Sequence, residues 1–301
     1  MYNLKKNAKL YIVEGSNKHL IEVYSDISAS QTFDEQSYRQ KTLHSLNSLH
    51  EAATITKANI ANFSFTTPIK NVASGTTPIV LTLGSSYSNG TVSSFDVYIE
   101  TDNIIYKIEK CVIESLTFNI ERESILTVSV SGSGSRMSQY STSASPLTIP
   151  GTLVNVGTST YIINKSISAN INNVDMESVA SLNIEISNSV NWTTNNTLQS
   201  SLQGNIAYPS NYTVSDRTLR GSITQFLTSD NIGTIVSDTS TNSTLDIKLY
   251  DVIGAAVPVL RFNLPSIVYT KRIGTDDIIN RVFDYRLNTN STNVKPIYKG
   301  V

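Results

Sequence analysis

The chain has 301 residues, room for about two ordinary domains, and its 23 Lys and Arg against 24 Asp and Glu leave a formal charge of -1. That balance disfavours a dedicated binder of nucleic-acid phosphates. One cysteine, Cys111, rules out an intramolecular disulfide and a cysteine-based zinc site built by this chain alone.

Ser, Thr, Asn, Ile, Val and Tyr dominate, while good helix formers at helical spacing are scarce, so the composition predicts an all-β fold. The 39% hydrophobic fraction is spread through short alternating segments, too regular for a disordered Ser/Thr-rich stalk. Met1 to Leu10 carry three lysines around a few apolar residues and lack the apolar centre of a secretory signal, so neither export nor an oxidising compartment is expected. No run of about 18 apolar residues is present, so no membrane insertion is expected.

In chain order, Ile21, Val23, Ser25 and Ile27 alternate with Glu22, Tyr24, Asp26 and Ser28, which predicts a half-buried strand. The polar stretch 34–53 reads as a long loop or a short helix, and 54–65 as a strand ending in Asn-Phe-Ser-Phe. A Gly-, Pro- and Ser-rich turn region follows at 68–94. Phe95, Val97 and Ile99 then alternate with polar partners, turn through Thr101-Asp-Asn103 and continue as Ile104 to Ile108, a hairpin. Two more strands, Val112 to Glu121 and Leu126 to Ser131, lead to Gly132-Ser-Gly134, read as a terminating bend. Residues 135–151 are rich in Ser and Thr with two prolines. This gives a first β-domain at 1–135, a linker at 136–151 and a second β-domain at 152–301.

The second half replays the order. Leu182, Ile184 and Ile186 lead to Trp192, a polar interruption spans 193–213, and 214–227 is a strand; further strands follow at Leu245 to Tyr250, Leu260 to Leu264 and Phe283 to Leu287. Phe33 to Phe65 is 32 residues and Trp192 to Phe226 is 34. Residues 94–135 and 244–290 read as diverged copies of one unit.

No catalytic, cofactor-binding or metal site emerges. His44 and His50 beside Glu51 lack a third ligand, and with His19 they read as solvated histidines. The carboxylate pairs Asp276-Asp277 and Glu121/Glu123 suggest acid-base or calcium chemistry, but Asp276-Asp277 beside Gly274 is a solvated turn sooner than such a site, and no Gly-x-Ser-x-Gly elbow supports a Ser-His-Asp triad. Gly132-Ser-Gly134 lacks the spacing and the lysine of a phosphate loop. Arg217, Arg220, Lys271, Arg272 and Arg281 read as solvated strand faces; Trp192, Tyr208 and Phe226 read as core in preference to a sugar-stacking platform.

The segments SDISASQTFDEQSYRQKTLHS (25–45), TITKANIANFSFTTPI (54–69), the run 94–135 and IGTDDIINRVFDYRLNTN (273–290) resemble the tail tube protein family of long-tailed bacteriophages, over nearly the whole chain. The resemblance implies two tandem tail-tube-like β-sandwich domains, each with a short helix and a long loop. It implies a catalytically inert virion protein, made in the host cytoplasm, whose three copies form a pseudo-hexameric ring that stacks into a tube. Its partners would be itself, the tape measure, baseplate and terminator proteins, with DNA as passing cargo and no cofactor. A terminator or a baseplate or distal tail protein is the alternative, and a carbohydrate-binding adhesin a more distant one. The second half has shorter spacing between its middle strands and lacks the Gly-Ser-Gly ending, which implies a trimmed or rearranged sheet. The strand bearing Ser115, Thr117, Asn119 and Glu121 is expected to line a neutral-to-acidic lumen, and 34–53 and 193–213 to contact the next ring.

Overall fold

The computed structural model describes residues 7–24, 27–38, 52–71, 77–86, 91–142, 147–154, 160–193, 206–229, 231, 239–275, 278–288, 294 and 296–299. They form β1 (Lys9–Glu14), β2 (Asn17–Ile21), β3 (Ser28–Tyr38), β4 (Ala52–Pro68), β5 (Lys70–Asn71), α1 (Ile79–Ser85), β6 (Phe95–Glu100), β7 (Ile104–Glu121), β8 (Thr127–Gly134) and β9 (Arg136–Ser141). The order continues with β10 (Thr152–Leu153), β11 (Thr160–Tyr161), β12 (Ser166–Ile171), β13 (Val174–Asp175), β14 (Val179–Thr193), β15 (Asn211–Phe226), β16 (Thr239–Tyr250), β17 (Leu260–Thr275), β18 (Ile279–Leu287) and β19 (Ile297–Tyr298). The all-β expectation holds.

The architecture follows from two long, bent strands. The first half of β7 pairs with β6 on one edge and β9 on the other; its second half pairs with β14 and β8. Lys110 marks the bend with a φ of 51°, a region non-glycine residues seldom occupy, and its backbone N–H donates to Asp96 Oδ1 at 3.0 Å. The strand thereby crosses from one layer of a sandwich to the other. In the same way β17 starts between β16 and β19 and goes on beside β18.

The other pairings repeat as well. In the first half β1 lies between β2 and β6, and β4 between β3 and β8. In the second, β12 lies between β13 and β16, and β15 between β14 and β18. Thus β1–β4 and β6–β9 have counterparts in β12–β19, strand for strand, and the trimming falls on β13 and β19, two residues each where β2 has five and β9 six. The halves are joined edge to edge, β7 running antiparallel to β14 from Ser115 opposite Ser187 to Glu121 opposite Ser181. Seventeen strands form one connected hydrogen-bonded network, with β5 and β11 as a separate pair.

Alternation along these strands sends apolar residues to one side, where the core is continuous across the junction. Phe65, Val130, Leu116, Ile186 and Leu219 lie in cross-strand succession through both halves, all buried. Phe118 of the first half meets Phe262 of the second edge to face, centroids 5.2 Å apart. The hairpin tips at the β6–β7 and β16–β17 turns differ in chemistry: Asp102 accepts from Asn7 Nδ2, whereas Val252, Ile253 and Val257 stand exposed.

Several local expectations change. The strand proposed over 21–28 falls between β2 and β3, because its apolar residues come from two strand ends flanking a bend: Ile21 closes β2, and Ile27 precedes β3. Residues 34–38 and 52–53 belong to the β3–β4 hairpin, with 39–51 outside the described residues. Part of the turn region 68–94 is α1, which starts behind Pro78 and buries Val80, Leu81 and Leu83; no second helix occurs among the described residues. The segment given to the linker holds β9, paired with β7 along its length. Gly132 lies inside β8: a Cβ there would meet Val112 O at 2.2 Å and Phe63 Cζ at 2.5 Å, so the residue serves close packing in place of a bend.

Candidate assembly surface

The face of the long sheet opposite the core is polar over most of its extent, with Val268 and Val282 as apolar positions on it. Ser28, Ser64, Ser131, Ser115, Ser187 and Thr218 stand in one cross-strand row over six strands. The next row runs Thr66, Ser129, Thr117, Glu185, Arg220, Arg286, and a third runs Thr127, Asn119, Asn183, Ser222, Asp284, Thr270. Glu121, Ser181, Thr224, Val282 and Arg272 form a fourth. Over these rows three carboxylates (Glu121, Glu185, Asp284) stand against three guanidiniums (Arg220, Arg272, Arg286), a formal sum of zero.

The charges are also paired locally. Arg220 holds Glu185 with two bonds of 2.8 and 3.1 Å, and Arg272 Nε reaches Asp284 Oδ2 at 2.9 Å. Two shallow depressions open on this face: one of about 500 Å³ around Glu185, Arg220, Asp284 and Arg286, and one of about 240 Å³ among Ser64, Thr66, Ser115, Thr117 and Ser129. A hydroxyl-rich neutral surface of this kind offers hydrogen bonds everywhere and a strong electrostatic grip nowhere.

A second feature is the way the β14–β15 hairpin is seated on the first half. Trp192 Nε1 donates to Ser133 Oγ at 2.8 Å, and Ser133 Oγ in turn donates to Glu114. Tyr212 Oη donates to Val92 O at 2.7 Å, Asn188 Nδ2 to Ile113 O at 3.0 Å, and Arg217 Nη1 to Ser85 O at 2.9 Å. Val92, Val112 and Val214 are buried beneath, packed by Val190, Trp192 and Tyr212. Beyond them Arg136 lies over the Tyr208 ring at 4.9 Å, and Ala58 N–H donates to Ala207 O at 2.8 Å.

These contacts revise the reading of single residues. Trp192 and Tyr208 belong to the contact between the halves and not to either core, while Phe226 is exposed. Arg217 and Arg281 are not solvated: Arg217 bonds Ser85 O, and Arg281, 5% exposed, donates to Asn231 O at 3.2 Å. Arg220 and Arg272 lie on the polar face as expected of strand-face cations. His19 sits on β2, where burial pushes its imidazole down against the opposing pull of Glu14; His44, His50, Asp276 and Asp277 fall outside the described residues. The cross-strand rows were missed because they depend on pairings between segments far apart in sequence.

No curated protein matches the sequence. The solved structures similar to it include the sheath/tube terminator of a PVC extracellular contractile injection system in the extended state, at 14% identity, covering 44% of this chain and 93% of that one with a TM-score of 0.34; and a chain of the sheath-tube complex of the same system, at 14% identity, covering 45% and 88% with a TM-score of 0.34. A family model covers residues 1–301 in full; it is that of the baseplate tube, where the sequence resemblance pointed to the major tail tube. The chain belongs to the bacteriophage baseplate tube protein family and is a structural component of the phage tail.

Proposed function

We propose that this protein is a ring-forming tube subunit at the baseplate end of the tail, its two halves acting as two domains of one sandwich type, and that three copies close into a pseudo-sixfold ring. The observation that carries the reading is the strand-for-strand repeat, joined edge to edge by β7 and β14. A chain whose one junction already mates the edge of one unit to the edge of the next needs only the same junction between copies to close a ring.

The polar face becomes the wall of the channel. Its zero formal charge and paired ions leave few free cations for DNA phosphates, so DNA or another elongated cargo slides past without the salt-dependent adhesion of a basic groove. The role is structural and non-catalytic, and the neighbours in the virion are further rings and other tail proteins: tape measure, baseplate and terminator.

Negative-stain microscopy with mass photometry of the purified protein tests the reading. Hollow rings of three chains that stack into short tubes are expected; long tubes from this chain alone favour a major tube subunit, and rings that never stack favour a terminator. A protein that remains a single chain at every concentration up to the solubility limit refutes the ring.

A further inference from the structure

One cation of the polar face has no partner. Arg220 is held by Glu185 and Arg272 by Asp284, but Arg286, exposed on β18, makes no hydrogen bond or ion pair among the described residues. It stands in the interior of the sheet, opposite Arg220 on β15 and opposite Val268 on β17. Like charges facing each other across adjacent strands are destabilising. Arg220 and Arg286 both line the larger depression, of about 500 Å³, together with Asn183, Ser222 and Thr270.

The first half carries a carboxylate at the matching place. Pro68 opposite Thr127 and Phe226 opposite Asn280 close the two corresponding ladders, which puts Asn62 opposite Ser133 in the place of Arg220 opposite Arg286. There Ser133 donates to the carboxylate of Glu114. Glu114 is the extra residue of a bulge in β7, lying between Ile113 opposite Gly132 and Ser115 opposite Ser131. In β17, Tyr269 opposite Tyr285 is followed at once by Thr270 opposite Asp284, so that strand has no residue in the place of Glu114. The second half thus replaces a hydroxyl donor with a guanidinium and omits the acceptor.

We propose that Arg286, with Arg220 beside it, receives the carboxylate of an acidic side chain on another protein lying along the polar face. A guanidinium binds a carboxylate through two parallel N–H bonds, and an anion seated between two guanidiniums cancels their repulsion. Ser222 and Thr270 offer hydroxyls to the polypeptide around it. The phosphates of DNA fit less well. Duplex DNA carries one charge per about 1.7 Å of its axis, so a phosphate at Arg286 brings its neighbours against Glu185 and Asp284 in the same depression. A lone carboxylate flanked by neutral peptide avoids that repulsion. The placing of this partner within a channel rests on the ring reading above, whereas the site itself does not.

Modification of the full chain by phenylglyoxal, mapped by mass spectrometry with mass photometry in parallel, tests the site. Arg286 is expected to react before the bonded Arg220 and Arg272. The acetylated and amidated peptide Gly-Ser-Glu-Ser-Gly, at saturation, should slow Arg286 about tenfold and leave Arg272 unchanged, while the same peptide with Gln for Glu has no effect. The peptide should also slow Arg220 in the parent and fail to do so in Arg286→Gln. Equal slowing by both peptides, or by neither, overturns the proposal. So does stronger slowing by a single-stranded octanucleotide at equal concentration of anionic groups, which assigns the place to phosphate, or shielding of Arg286 by ring formation alone, which assigns it to a second copy. Shielding by the Glu peptide in a protein that never forms rings removes the channel and keeps the site; rings without shielding do the reverse.

Discussion

Replacing Phe118 by Ala probes whether the two halves are one thermodynamic unit. The side chain is fully buried on the second half of β7, opposite Ile184 across the junction and edge to face with Phe262. Loss of a buried Phe costs about 3–5 kcal/mol through lost burial and the cavity left behind; of this the ring pair contributes about 0.5–1.5 kcal/mol. Set against a typical domain stability of about 5–15 kcal/mol, the change removes about a fifth or more. Urea unfolding followed by far-ultraviolet circular dichroism reports all strands, and the fluorescence of Trp192, the single tryptophan, reports the seat of the β14–β15 hairpin. Both signals are expected to shift together to lower urea with unchanged slope. A loss below about 1 kcal/mol, or two separated transitions, would refute the shared core.

Two other substitutions test the packing and the ion pairs. At Gly221 a Cβ would lie 2.1 Å from Asn183 O and 2.5 Å from Tyr285 Oη, so Gly221→Ala should destabilise by about 1–3 kcal/mol in thermal unfolding; an unchanged melting temperature contradicts that. At Asp246 burial alone would raise the carboxyl, but hydrogen bonds from Arg261 and Lys248 outweigh it and hold the group below the usual carboxylate value. Its contribution is therefore present above the unfolded value near pH 4 and lost as pH falls through the lower folded one. Asp246→Asn should cost at most about 1 kcal/mol at pH 7, with the gap to the parent closing in acid; an equal gap at both pH values would rule out the linkage.

What the sequence disclosed was what period and local chemistry encode. The β6–β7 hairpin was legible because Phe95, Val97 and Ile99 alternate cleanly and Thr101-Asp-Asn103 is a turn by its own chemistry. The near-equal spacings Phe33–Phe65 and Trp192–Phe226 pointed to the paired hairpins β3–β4 and β14–β15. Lys110 hid the continuity of β7, since nothing in its type announces a left-handed residue within a strand. Gly132 and Gly134 read as a stop because glycine punctuates most chains; their role in β8 depends on Phe63 and Ile108, far off in sequence. The short strands β10, β11, β13 and β19, two residues each, are too brief to carry a period. The polar face was visible on β7 alone, and its extension over both halves required the register of every ladder.

The unlike hairpin tips have a consequence for symmetry. If three chains complete a circle, the rim alternates Asp102 and Asn103 with Val252, Ile253 and Val257, wet knob then greasy knob, every sixty degrees. A protein mating with that rim through the greasy knobs finds three footholds in place of six. The covalent tie between the two units would thus hand the next component a trigonal template, even though the channel wall beneath looks nearly hexagonal.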